Sequence, residues 1–288
     1  MSERLLSDSI FLSCYKVTKK LITPLLFYFF ISYAIWMFRV IFKIGIDEKL
    51  SLLLPLYEFI TGGNQFSIVN STLWYFLCIY NVMIVYIVMN KLIRNDYVIA
   101  LVTFYLSMFA VSVNLFSVEN RLLFNLDTLI VALPFFCIGR LYKEKKYLNS
   151  LFKINNKALI ILLLSGGIYL VLINGKVDLN KLNYGNNYFL FYINALVGIG
   201  LILYLSHKIK FIYIRKLLLW LSLNSIFIFP LHIVVYSFIT GGLLFTFGFD
   251  VKSHSGFLFS VLYIILTLML LGFFISRWPQ RINFIIGK

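Results

Sequence analysis

The sequence predicts an all-α, polytopic membrane protein of about eight transmembrane helices with both termini in the cytoplasm. Three observations carry that expectation. Of the 288 residues, 61% are hydrophobic and only 13% are charged, where a soluble domain carries roughly 25% charged residues. Too few polar groups remain to cover a water-facing surface. Apolar runs long enough to cross a bilayer, about 20 residues at 1.5 Å each, recur along the whole chain. The basic residues fall between those runs and favour one side of the membrane.

Eight segments have the length and composition to span: 21–42, 73–90, 98–116, 122–141, 158–173, 188–205, 217–241 and 257–275. Between the first two lies an apolar stretch, 50–60, interrupted by Pro55 and Glu58. It is too short to cross and reads as an interfacial or re-entrant piece. With the N-terminus inside, nineteen Lys and Arg lie in cytoplasmic segments and six on the opposite side. That is the positive-inside asymmetry. If 50–60 spanned, every later loop would change sides and the bias would invert. No fixed-period repeat and no long linker divides the chain, so residues 1–288 read as one membrane-embedded domain.

The net charge of +15 would suggest nucleic acid in a soluble protein. Here the basic residues alternate with apolar runs and read as orientation signals facing anionic lipid, with no nucleic-acid partner. Lys143–Lys146 is one such run. Cys14, Cys78 and Cys137 lack paired or metal-ligand spacing, so neither a disulfide framework nor a metal site is expected. The first apolar run follows a polar stretch and is long enough to remain as an anchor, so no cleavable leader is read. No phosphate-cradling glycine loop or elbow serine is present.

Ionisable groups within the bilayer cost several kcal/mol and mark candidate sites. His232 is the most informative. On an unbroken helix starting at the cytoplasmic face it would stand about 22 Å up, with Pro230 kinking the helix beside it. Asn224 and Ser225 lie below it and offer hydrogen bonds. Two readings stay open: a ligand-binding or proton-handling His in a cavity, or a neutral His tying helices together. Arg39 and Asp127 are either members of one outward-facing cavity or interfacial residues. Glu58 precedes Thr61-Gly-Gly-Asn64, a loop able to approach a substrate closely. Trp74 opens the second span, where an aromatic belt is the competing explanation. Arg39, Glu58, Trp74, Asp127 and His232 fall in the outer half or at the outer surface under one topology. His207 and His254 read as surface residues.

Several stretches resemble acyltransferase family 3, the bacterial inner-membrane enzymes that O-acetylate surface sugars. Lys19-Lys-Leu-Ile-Thr-Pro24 resembles that family's basic cluster before a helix start. Asn70-Ser-Thr-Leu-Trp74-Tyr-Phe-Leu resembles its Leu-Trp-Phe-Leu segment. Ala132-Leu-Pro-Phe-Phe-Cys-Ile-Gly139-Arg resembles its Pro-Phe-Phe-x-x-Gly segment, and Leu219-Trp-Leu-Ser-Leu-Asn224 through His232 resembles its late His-bearing helix. The resemblance implies a multi-pass inner-membrane enzyme, with acetyl-CoA as donor and a hydroxyl of a surface polysaccharide or lipid-linked sugar as acceptor. It implies His232 and Asp127 as catalytic candidates, with Asn224, Ser225, Trp74, Arg39 and Glu58 binding substrate. Lys19 and Lys20 would then lie near the anionic donor.

The chain departs from that pattern in one respect. Family members carry a first helix with a basic residue and, about three turns later, a His. Here no His precedes His207. The resemblance therefore implies a chain lacking the family's first two helices, and loss of a general base costs about two to four powers of ten in rate. An inactive or partner-dependent remnant is the first alternative. A polysaccharide export or polymerisation protein is another, although residues 43–72 lack the arginines expected of a polymerase loop. A transporter is weaker, because Pro230 has no counterpart in the first half.

Overall fold

The computed structural model describes residues 8–42, 52–61, 69–113, 122–144, 157–249 and 257–277. Their regular structure is helical, with a single isolated β-bridge between Asp178 and Asn183. The helices are α1 (Ile10–Ile41), α2 (Leu54–Thr61), α3 (Trp74–Ile93), α4 (Asp96–Ser112), α5 (Leu126–Glu144) and α6 (Lys157–Asn174). They continue with α7 (Tyr188–Lys208), α8 (Ile212–Leu223), α9 (Ser225–Val234), a π-helical turn (Val235–Thr240), α10 (Gly241–Thr246) and α11 (Phe257–Ser276).

The described parts of the eight expected spans are largely helical. Among the described residues five helices are long and apolar enough to cross a membrane, and α8 with α9 makes a sixth if that bent pair counts as one span. The expected spans at 98–116 and 158–173 fall on shorter apolar helices. The stretch at 50–60 contains α2, only eight residues long. The ends of the chain, Gly62–Asn64, Lys145, Lys146 and His254 lie outside the described residues.

The first helix begins well before its apolar run. Ser9 Oγ accepts the Leu12 N–H (3.3 Å), the role of an N-cap. Lysine is a good helix former, so the helix continues through Lys16, Lys19 and Lys20. At 1.5 Å per residue its 32 residues run about 48 Å.

The described residues form two compact units, one within 1–14 and 81–215, the other within 15–80 and 216–288. In the first, Val131, Phe191 and Tyr192 form a buried core packed by Phe104, Phe135 and Tyr188. Tyr192 donates to the Val131 carbonyl (2.9 Å), and its hydroxyl meets Ser107 Oγ (2.8 Å). Such ties matter between transmembrane helices because lipid offers the hydroxyls no alternative partner. At the far end of α4, Asn95 caps the helix by accepting from the Tyr97 and Val98 N–H groups.

Between α6 and α7 the chain folds back on itself through asparagines. Asn174 is fully buried. It donates to the Tyr184 carbonyl (2.9 Å), accepts from the Asn187 N–H (2.9 Å), and its own carbonyl accepts from the Asn186 N–H (2.7 Å). Gly185 makes this possible: its φ is +81°, and a Cβ there would lie 2.3 Å from the Asn174 carbonyl oxygen. Gly185→Ala combines a disfavoured backbone conformation with a backbone clash. It is expected to destabilise the protein by about 2–4 kcal/mol, read as a lower midpoint in thermal unfolding of the detergent-solubilised protein. Gly248→Ala, at the same φ with open space around it, should cost clearly less.

In the second unit, α2 packs Phe59 against Phe29 of α1 (ring centroids 4.0 Å apart), and Tyr33 donates to the Leu52 carbonyl (2.8 Å). The π-helical turn is held by α11. Tyr263 packs its ring at a tilt on Tyr236 and donates to its carbonyl (2.5 Å), and Thr267 donates to Thr240 (3.1 Å). A π turn disturbs the regular i to i−4 bonding. The Tyr263 hydroxyl supplies a partner for a carbonyl in that stretch.

Candidate functional site

His232 lies in the second unit, on a helix that starts at a break. Helices α8 and α9 meet at Asn224 at an angle of 80°. The 22 Å expected on a continuous helix therefore does not apply. Measured along α9 from Ser225, His232 is seven residues on, about 10 Å. The break falls at Asn224 rather than at Pro230. Asn224 has φ −105° and ψ 10° and donates to the Trp220 carbonyl (2.8 Å), so its side chain closes the end of α8. Pro230 sits inside α9, where it removes one N–H without interrupting the helix.

Among the described residues, the imidazole hydrogen-bonds to one backbone group. Nδ1 lies 2.6 Å from the Phe229 carbonyl oxygen. A carbonyl only accepts, so Nδ1 carries the hydrogen, and in the neutral imidazole the lone pair is on Nε2. His232 is half-buried. Ser225, Phe229 and His232 follow the spacing i, i+4, i+7, which puts them on one face of α9.

That face borders a cavity of about 350 Å³ lined by Ser225, Ile226 and Phe229 of α9, Tyr75, Phe76 and Ile79 of α3, and Leu21 of α1. Its wall is aromatic and aliphatic apart from the Ser225 hydroxyl and the Tyr75 phenol. Phe229 packs on Tyr75 (4.8 Å) and lies 5.9 Å from the His232 ring, so one side chain links the cavity to the imidazole.

Beside the site the chain is irregular and mostly buried. Val69, Asn70, Thr72 and Leu73 are all buried ahead of α3. Thr18 reaches Tyr80 (3.3 Å) and Asn70 reaches Ser32 (3.0 Å), so α1 runs antiparallel to residues 70–80. Asn70 stands level with the middle of the apolar part of α1. Non-helical backbone at such a level is tolerated only where protein covers it and its polar groups are satisfied.

A family model for the acyltransferase domain of family 3 matches residues 2–283. The chain belongs to acyltransferase family 3. No curated protein and no solved structure matches it. With acyl transfer as the family's chemistry, the other expected residues can be placed against the site. Ser225 lines the cavity and Asn224 stands at the break beside it. Lys19 and Lys20 are exposed on α1 immediately before Leu21, which lines the cavity.

Trp74 opens α3, half-buried and edge-on to Tyr75 (6.1 Å), while the next residues Tyr75 and Phe76 form the cavity wall. Arg39 is half-buried in the last turn of α1. Glu58 is half-buried in α2, and burial pushes its carboxyl above the usual range. Neither lines the cavity.

Asp127 belongs to the other unit. It is fully buried in the first turn of α5, and its carboxylate accepts the Leu122 N–H (3.2 Å) and the Thr128 N–H (2.7 Å). That is the bonding of a helix-start brace. His207 is exposed at the end of α7.

The residue that sequence reasoning missed here is Asn70. Its signal was an Asn-Ser-Thr run directly ahead of a long apolar segment, where no buried polar group is idle.

Proposed function

We propose that this membrane acyltransferase moves an acetyl group from acetyl-CoA to a hydroxyl of a cell-surface or capsular sugar in the bacterial inner membrane, with His232 as the proton acceptor. The observation that carries the proposal is the bond from His232 Nδ1–H to the Phe229 carbonyl, which makes Nε2 the basic nitrogen of the neutral imidazole. Nε2 takes the proton of the sugar hydroxyl while that oxygen bonds to the acyl carbonyl carbon. The carbon–sulfur bond breaks, and the imidazolium returns the proton to the departing thiolate.

The cavity supports the donor assignment. Its apolar wall suits an acyl group and the arm attached to it, and Ser225 offers a hydroxyl to a polar atom of either. Lys19 and Lys20, next to Leu21 at the cavity, suit the negative charge of the donor's phosphates. A second reading is favoured by one sequence fact: no His precedes His207, whereas the family places one in its first helix. On that reading the chain acts only with a partner supplying that His, or not at all.

The test is proton NMR of purified surface glycan from three strains: wild type, a deletion, and the deletion carrying this 288-residue chain. Acetyl signals should vanish on deletion and return on complementation. Equal acetylation in all three, or signals that stay absent after complementation, would favour the second reading.

A further inference from the structure

We propose that Asn70 is the positioning residue of this site, clamping the turn of α9 that carries His232. The inference rests on His232 being the reacting base. Asn70 is 1% exposed, and its amide is bonded at both ends. Oδ1 accepts from the Thr72 N–H (3.1 Å) and the Thr72 hydroxyl (2.6 Å), while Nδ2 donates to Ser32 Oγ (3.0 Å) and to the Pro230 carbonyl (2.8 Å). Two donor hydrogens and two acceptor positions are all an asparagine side chain has.

The amide cannot be turned over. A backbone N–H only donates, so Oδ1 must face Thr72; a backbone carbonyl only accepts, so Nδ2 must face Pro230. The group is therefore a fixed strut between α1, the start of α3 and α9. It grips α9 where the helix is least determined by itself. Pro230 lacks an N–H, and five residues later the π turn begins. Both features loosen the register of the peptide groups between them. Phe229, whose carbonyl orients the imidazole, directly precedes Pro230, and His232 is two residues beyond. Fixing the Pro230 carbonyl fixes the turn that joins them.

Asn70→Asp is the sharpest test, because it keeps the shape and replaces both donor hydrogens with an acceptor facing the Pro230 carbonyl. The protein has three histidines, so nitrogen NMR of histidine-labelled full-length chain in lipid nanodiscs can follow His232, assigned by its loss in His232→Ala. Wild type should show the Nδ1–H form at His232. In Asn70→Asp that form should lose its dominance while the other two histidines are unchanged. Turnover with acetyl-CoA should fall about tenfold, the scale of one lost hydrogen bond to a buried group, at unchanged KM for the donor.

Thr72→Val, which keeps the backbone N–H but removes the hydroxyl anchor, should shift the same signal less, and it decides the matter if Asn70→Asp does not fold. Wild-type His232 resonances in a folded Asn70→Asp, or in Thr72→Val where Asn70→Asp does not fold, would overturn the proposal. Because the spectra do not depend on acyl transfer, they judge the clamp separately from the role of His232. That role fails instead if His232→Ala remains active.

Discussion

His232→Ala is expected to abolish acyl transfer, with a fall of about two to four powers of ten for loss of a positioned base. His207→Ala and His254→Ala should leave the rate essentially unchanged. The contrast rests on bonding. His207 is exposed at a helix end, whereas His232 is oriented by the Phe229 carbonyl and lies on the face of α9 that borders the cavity. The side chain is half-buried, so removing it leaves little void and the variant should purify as folded protein. The measurement is transfer from labelled acetyl-CoA to glycan in membranes holding matched amounts of each variant. Full activity in His232→Ala would place the base elsewhere, and the chain would then have to borrow it.

The helices were legible because hydrocarbon demands them. A backbone that cannot bond to water must bond to itself, so every long apolar run had to be helical. What composition does not register is where a helix changes direction. Residues 217–241 look like one span, yet the chain turns 80° at Asn224 and passes through a π turn after Val234. Both features depend on partners distant in sequence or on local side-chain bonds: Tyr263 for the Tyr236 carbonyl, and the Asn224 amide for the Trp220 carbonyl.

The site was half legible for the same reason. A His and an Asn-Ser pair in an apolar run stand out, and Ser225 lines the cavity while His232 lies against Phe229 of its wall. The aromatic wall of Tyr75, Phe76 and Phe229 did not stand out, because 30 Phe and 19 Tyr are spread along the whole sequence. Trp74 drew attention as the rarer residue, and its neighbours face the cavity instead.

Arg140 shows the limit of charge counting and carries the second large expected effect. Arg140→Leu should lower stability by about 3 kcal/mol or more, the range for removing one partner of a buried ion pair. In sequence this arginine counts among the cytoplasmic orientation signals. In the structure it is 6% exposed, with its guanidinium 3.8 Å from Asp96, itself 13% exposed. Tyr86 and Asn90 also donate to Asp96 (2.5 and 2.8 Å), so the carboxylate is held by two neutral donors beside the guanidinium.

The placement obeys helix electrostatics as well. Asp96 lies in the first turn of α4 and Arg140 near the end of α5, where each charge is favoured by the dipole of its own helix. Removing the arginine leaves the carboxylate buried with neutral donors only. Asp96→Asn should also destabilise, because it takes the carboxylate charge away from the buried guanidinium. The double variant should cost less than the sum of the two, since residues in direct contact are not additive. Thermal unfolding of the four proteins in detergent measures this, and strict additivity would mean the pair is two independent residues. Coupling would show that the ends of α4 and α5 are joined by charge on the same side of the membrane, the side that the positive-inside bias assigns to both.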